Sequence, residues 1–342
     1  MVSFWLNRSW PRKSALLARA VYERYTDLVE PYGMDECWLD VSGSVDLFGS
    51  GMDIAEEIRR TTRVELGLTV SIGVSYNKVF AKLGSDMKKS DAITEISENK
   101  IEGLVWTLPS GDLFYCGRAT ENKLAKYGIR TIGDIAKQPP DVLRRLLGVN
   151  GVMLWRFANG LDTSPVADRD YASPIKSIGH GITCVADLEN VDEVWKVILD
   201  LSQDIGHRLR VHGLEATGAQ ITIKDDALMY KQYQAPLELA TQSAMEIALI
   251  AQDLFRKNYR WACNVRSLTV RAINLIPKGQ PQQLNLYIDN ERREKRIQLE
   301  DTVEAIRQRF GKRSIIPATI MGNLKMPGVR SNEVIMPGMQ NR

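Results

Sequence analysis

The sequence predicts an α+β protein of several domains, and three observations carry that expectation. Alternating strand patterns interleave with amphipathic helices in the first third. Short helices with basic residues and glycine turns fill the middle, and a β, α, β, β, α, β succession fills the last third. At 342 residues the chain exceeds what one hydrophobic core ordinarily organises. A hydrophobic content of 44% with 25% charged residues is that of a soluble globular protein. The net charge of +3 is small, so a nucleic-acid surface has to come from local clustering. The four cysteines form no CxxC pair and the three histidines do not fall at metal-site intervals with them. Neither zinc nor a disulfide framework is expected. No stretch reaches the ~18 apolar residues of a membrane span, and residues 1–12 lack the apolar core of a signal peptide. The expected location is the cytoplasm, with no membrane partner.

Residues 14–25 read as a helix, with Leu17, Ala20 and Val21 on one face and Arg19, Glu23 and Arg24 on the other. In the run that follows, Cys37, Leu39 and Val41 alternate with Trp38 and Asp40, a strand pattern headed by Asp35 and Glu36. Two readings fit that acid pair. Adjacent strand residues point to opposite faces, so one carboxylate can aim into a cleft while the other works at its edge, as at a metal site. Alternatively, Gly33, Asp35 and Glu36 make a polar turn. After a loop at 43–49, Ile54, Ile58, Thr61 and Val64 mark a helix over 53–65 that Gly67 closes. Residues 68–75 then alternate as a strand with one buried face. Residues 77–89 follow as a helix with Val79, Phe80, Leu83 and Met87 on one side and Lys78, Lys82, Ser85 and Lys89 on the other. A lysine face is ordinarily solvated, and that is the default for Lys82. The strand-then-helix context, with Gly73 and Ser75, also suits a phosphate-bearing ligand.

Two of these stretches carry a resemblance. Residues 33–43 (Gly-Met-Asp-Glu-Cys-Trp-Leu-Asp-Val-Ser-Gly) and 71–89, which hold Asn77-Lys78-Val79-Phe80-Ala81-Lys82, resemble the palm of Y-family translesion DNA polymerases, in the polymerase IV and UmuC-like group. That family writes its acid pair Ser-x-Asp-Glu, and here Gly33 stands at the serine. The resemblance implies a two-metal magnesium site with Asp35 as a ligand and Glu36 completing the cluster near the primer 3′ hydroxyl, since hard cations take carboxylate oxygens. It further implies that Lys89 contacts the triphosphate of an incoming dNTP and that Asp40 is structural. The family opens with an Asp-x-Asp strand, a sugar-screening aromatic residue and the fingers. Only 34 residues precede Asp35 here, with no acid before Glu23. The chain is therefore expected to lack the first palm strand and fingers, to be unable to polymerise alone, and to need a separate N-terminal fragment. The alternative is a non-catalytic module that binds DNA and the sliding clamp.

In the middle, residues 119–127 and 134–137 read as helices around a turn holding Gly128, Ile129 and Arg130. A looser copy places Gly148 and Gly151 between helices at 143–147 and 152–158. Both are similar to helix-hairpin-helix motifs, whose turn N–H groups face a DNA phosphate and read no base. Each glycine alone is most often only a helix cap. Behind a polymerase palm the pair implies the family's thumb. Residues 159–166 read as a linker.

The last third supplies a strand from 176 and a helix with Val191, Val194, Trp195, Ile198, Leu201, Ile205 and Leu209 at helical spacing. Strands at 217–224 and 228–233 follow, then a helix over 244–254 and a strand over 265–275. This order is that of a split ferredoxin-like unit. In the family it is the little finger, whose open sheet face lies on DNA. Ser267, Thr269 and Arg271 alternate onto one face, as phosphate contacts or as an ordinary solvent face. After a linker, Gln283-Leu284-Asn285-Leu286-Tyr287 is similar to the Gln-Leu-x-Leu-Phe peptide by which bacterial polymerases dock on the clamp. Residues 291–310 form a charged helix before a Pro/Gly/Met-rich tail. The expected division is a partial palm over 1–110, a helical thumb over 111–166, a ferredoxin-like little finger over 174–277, and a clamp peptide, helix and tail over 278–342.

Overall fold

A computed structural model describes residues 2–6, 12–33, 35–89, 91–171, 173–281, 289–312, 314–321 and 324–327. The chain divides into two compact units, the first ending at Ala172 and the second starting at Ser173.

The first unit opens on β1 (Val2–Leu6), α1 (Arg12–Tyr22), β2 (Val29–Tyr32) and β3 (Glu36–Leu39). There follow α2 (Val45–Phe48), α3 (Gly51–Leu66), β4 (Val70–Ser75), α4 (Lys78–Met87) and β5 (Ile93–Ile96). The sheet runs β2-β3-β1-β4-β5, antiparallel except for the parallel β4/β5 pair. A first strand is therefore present, contrary to expectation. β1 lies between β3 and β4, with Trp5 paired to Glu36 on one side and to Ser71 on the other. Its sequence contains no carboxylate.

Local signals explain the helices. Ser50 accepts from the Asp53 N–H and the Asp53 carboxylate accepts from the Ser50 N–H, a capping box at the start of α3, and Gly67 ends it at φ 65°. From α3 the apolar stripe of Ile54, Ala55 and Ile58 joins Ala18, Val21 and Tyr22 of α1 in a core with Leu39, Val70 and Ile72. β4 was expected to bury one face, but all six of its residues are buried. The reason is α4, which covers the other side. A Cβ on Gly73 would sit 1.9 Å from the Ala81 carbonyl oxygen, so only glycine permits this approach.

Beyond β5, the helices α5 (Arg118–Ala125), α6 (Ile132–Lys137), α7 (Pro140–Leu147) and α8 (Val149–Ala158) share a core with Val79, Phe80 and Leu83 of α4. The apolar face of α4 thus belongs to this helical core.

The second unit holds β6 (Ser177–Leu188), α9 (Val191–Val211), β7 (Leu214–Asp225), β8 (Tyr230–Thr241), α10 (Ala244–Asn258) and β9 (Val265–Pro277). Its antiparallel sheet runs β6-β9-β7-β8. The order of elements is the one expected, but the lateral order is not ferredoxin-like. The first and third strands lie at the edges here, whereas a ferredoxin-like sheet puts them in the middle. Hydrophobicity accounts for it: β7 and β9 contribute Ala219, Ile221, Ile223, Leu268, Val270 and Ala272 to the core and take the centre. β8 is polar, contains Pro236 and takes an edge. α11 (Asn290–Phe310) belongs to this same unit, which extends past the expected boundary at 277. Its attachment is ionic. Arg293 and Arg296 meet Glu246, Arg210 meets Glu300 and Asp301, and Glu300 accepts from the Ala244 N–H at the head of α10.

Candidate functional site

β2 and β3 form a hairpin whose turn contains Gly33, at φ 75°, and Asp35. The acid pair is therefore split between two environments. Asp35 is exposed in the turn, as the polar-turn reading has it, while Glu36 is the half-buried first residue of β3. Its carboxylate accepts from the Lys82 ammonium at 2.8 Å. Lys82 also meets Asp86 at 2.8 Å, and Lys89 approaches the other Asp86 oxygen at 3.4 Å. The four side chains form a line, Glu36, Lys82, Asp86, Lys89, from the head of β3 to the residues just past α4.

One ammonium thus serves two carboxylates. Burial raises the Glu36 pKa above its ordinary value; Lys82 opposes this, and Asp86 and Asp35 add to it. Burial pulls the Lys82 pKa down, but Asp86 and Glu36 overcome it and the net shift is upward. The shifts do not conflict, because the lysine gains two partners while Glu36 shares one cation with other acids.

The lysine stripe is not the solvated face expected of it. Lys78 and Lys82 are each 9% exposed and Ser85 is fully buried. Lys78 reaches Glu30 at 2.6 Å and the Pro165 carbonyl at 2.9 Å, and its ammonium lies 5.0 Å from the Trp38 ring centroid. Glu30 also accepts from the Ala167 N–H at 2.7 Å, so this pair ties the 165–167 segment to β2 and α4. Sequence reasoning passed over Glu30 and left Lys78 on a face expected to meet water. The available signal was the helical interval between Lys78 and Lys82, which puts two cations on the side of α4 that faces strands bearing acids. Of the stripe, Lys89 alone is exposed.

The turn at Gly128, Ile129 and Arg130 does not offer free amides. The Gly128 N–H donates to Ala125 and that of Ile129 to Leu124. Those of Arg130 and Thr131 donate to the Asp134 carboxylate, each at 2.9 Å. The reading of these groups as phosphate donors is corrected accordingly, and Gly128 serves its positive φ of 78°. In the looser copy the turn shrinks to Gly148, at φ 67°, because α8 starts at Val149. Gly151 lies inside α8, where a Cβ would come 2.1 Å from the Leu143 carbonyl oxygen. Its role is close helix packing. The Gly151 N–H donates to the Gly148 carbonyl, and those of Val149 and Asn150 lie ahead of the first intrahelical bond, as at any helix start.

In the second unit, Ser267, Thr269 and Arg271 alternate with Leu268, Val270 and Ala272, which enter the core, and so face away from it. Their neighbours across the sheet are Lys224, Thr222 and Gln220 on β7 and Thr183, Gly181 and Gly179 on β6. Gly179 and Gly181 leave room for Arg271 and Thr269: a Cβ on Gly181 would lie 2.1 Å from the Thr269 hydroxyl. The face is polar and carries two cations, Arg271 and Lys224. The peptide Gln283, Leu284, Leu286 and Tyr287 lies outside the described residues.

Asp35 and Glu36 do not complete a metal site by themselves. Among the described residues no group of three or more His, Cys, Asp or Glu side chains is arranged to hold a metal ion. One of the two acids is bonded to a lysine, and two carboxylates so disposed do not fit a pair of magnesium ions, which needs several anionic oxygens. Among the described residues no helix is long and apolar enough to cross a membrane.

Comparison with known proteins gives consistent results across the chain. The impB/mucB/samB family matches residues 11–86, and the C-terminal domain of that family matches residues 175–286. A DNA polymerase IV of Acetivibrio thermocellus is 48% identical over 309 residues, covering 90% of this chain and 77% of the relative. A DNA polymerase IV of Moorella thermoacetica is 34% identical over 291 residues, 85% of this chain and 72% of that one. Among solved structures, a Y-family DNA polymerase chimera of Dbh and Dpo4 shares the fold with a TM-score of 0.65 at 21% identity, covering 78% of this chain and 76% of the other.

Proposed function

The chain belongs to the Y-family DNA polymerases, in the polymerase IV and UmuC-like group, and from that membership we propose that it serves translesion synthesis by binding damaged primer-template DNA. The observation that carries this reading is the 48% identity to a DNA polymerase IV over 90% of the chain. Phosphate contacts fall to the polar sheet face of Ser267, Thr269 and Arg271, to the exposed Arg130 side chain, and to the start of α8 after Gly148. Lys89, exposed past the end of α4, is the proposed contact of an incoming dNTP. Binding is tested by fluorescence anisotropy of a labelled primer-template at increasing salt. Affinity falls linearly on a log–log plot if phosphates dominate, and an affinity independent of salt rejects the reading.

Y-family polymerases generally use divalent metal ions. Asp35 and Glu36 are proposed as two carboxylates toward magnesium, which takes further anionic donors beside them. In the structure Lys82 balances Glu36, and with these two carboxylates alone the chain does not polymerise. Primer extension with magnesium and all four dNTPs checks this, and robust extension by the chain alone overturns it.

The Glu36–Lys82 pair also favours a second reading, a non-catalytic module that occupies DNA and the sliding clamp. Extension regained on adding a fragment bearing an Asp-x-Asp strand decides for the first reading; none regained, with DNA binding intact, decides for the second. In both, Gln283, Leu284, Leu286 and Tyr287 dock on the clamp, and replacing Leu286 and Tyr287 by alanine abolishes its capture.

A further inference from the structure

A ladder of aromatic rings runs through the first unit and ends at an exposed tyrosine in an unusual backbone conformation. Tyr32 and Trp38 are 4.9 Å apart between centroids, Trp38 and Phe114 are 5.8 Å apart, and Phe114 and Tyr115 are 4.4 Å apart. Phe157 flanks Tyr115 at 6.3 Å. The inner rings are fixed: the Trp38 indole N–H donates to the Lys78 carbonyl at 3.0 Å, and the Lys78 ammonium lies over its ring. Tyr115 itself is 60% exposed.

The turn from Leu113 to Cys116 is closed by the Cys116 N–H donating to the Leu113 carbonyl at 2.9 Å. Tyr115 is its third residue and has φ 67°. That position in such turns ordinarily carries glycine or asparagine, because the left-handed region is unfavourable for bulky side chains. A tyrosine there is strained, and with the residue largely exposed, burial does not compensate for the strain. Residues held in such conformations concentrate where function requires them. Arg118, exposed, opens α5 three residues later, and Lys123 and Lys126 follow it, also exposed. An exposed aromatic face followed along the next helix by exposed cations is the pairing that single-stranded nucleic acid needs, a base on the ring and phosphates on the cations.

We propose that Tyr115 is a stacking platform for one unpaired nucleobase of the DNA bound by this unit, held in place by the ladder of Phe114, Trp38 and Tyr32, with Arg118 beside the phosphate of that nucleotide. The inference rests on the reading of the chain as DNA-binding. It adds a contact with a base face, which is tolerant of sequence and independent of phosphate charge.

The test uses the full chain, a labelled primer-template with a single-stranded overhang, and three variants. Tyr115→Gly and Tyr115→Asn relieve the strained conformation, so their thermal stability equals or exceeds that of the parent. Their DNA affinity falls by roughly tenfold, the lower part of what one base stack contributes. The loss is the same at every salt concentration, because no counterion is released by stacking. Tyr115→Phe keeps the affinity. An abasic nucleotide walked along the overhang weakens the parent by the same factor at one position and leaves Tyr115→Gly unaffected there. Parent-like binding by Tyr115→Gly overturns the proposal, as does an affinity loss in Tyr115→Phe equal to that in Tyr115→Gly. No binding by the parent chain removes the DNA-binding reading as well, which separates the two failures.

Discussion

Glu36, Lys82 and Asp86 form a cluster in which removal of the cation and removal of an acid have unequal consequences. Replacing Lys82 by methionine takes the lysine partner from the half-buried Glu36 carboxylate and leaves Asp86 only its longer contact with Lys89, and should destabilise the first unit by about 3 kcal/mol. Glu36→Gln removes an acid whose ionised form burial already opposes, and should change stability by less than about 1 kcal/mol. Urea titration followed by tryptophan fluorescence checks the pair, and equal losses in the two variants would contradict this account. At this scale the sequence revealed the acids and the lysines but not their pairing. Periodicity placed Lys78 and Lys82 on one helix face, and a polar face was taken to meet water. What it met was the mouth of a sheet, where Glu30 and Glu36 begin their contacts, and no local pattern announces a partner more than forty residues away.

Two glycines decide how elements approach one another. Gly73 lets α4 lie directly on β4, and Gly151 lets α8 close on α7; an added Cβ would meet backbone oxygens at 1.9 and 2.1 Å. Backbone cannot yield as a flexible side chain does, so Gly73→Ala and Gly151→Ala should each cost about 3 kcal/mol, the upper range for overpacking. Gly67→Ala, at φ 65° in open space, should cost only about 1 kcal/mol for its left-handed cap. Differential scanning calorimetry of the three variants gives the ranking, and a Gly73 variant no worse than the Gly67 one would refute it. The strands and helices of the second unit were legible because their periodicity is strong and uninterrupted. Their lateral order was not, since the succession of elements suits more than one sheet and only the contrast between polar β8 and apolar β7 and β9 discriminates. The paired helices around Gly128 were legible as helices, but the free amides read into their turn depended on Asp134, which caps both Arg130 and Thr131.

The chain as a whole carries distinct hydrophobic cores in its two units, so heating should give separable transitions, and a charge cluster confined to one unit should move only that unit's transition. Asp204 on α9 supplies such a cluster, with His180 on β6 at 3.2 Å, Lys312 at 3.1 Å and Arg208 at 3.9 Å. Burial alone would raise its pKa, but the hydrogen bond from His180 and the charge and hydrogen bond of Lys312 hold it far below the ordinary 3.8. A carboxylate with a depressed folded pKa contributes stability that is fully present above its unfolded value and is lost as pH falls through that value toward the folded one. Lowering the pH from 5 to about 3 should therefore move the transition of the second unit downward, in part through Asp204. Asp204→Asn should cost about 2 kcal/mol at neutral pH, the worth of hydrogen bonds to a charged group, and should flatten the acid response of that transition alone. Calorimetric scans of the full chain at several pH values measure both effects. If the variant keeps the parent's acid response, or if the transition of the first unit shifts equally, the stability of the second unit does not depend on this cluster.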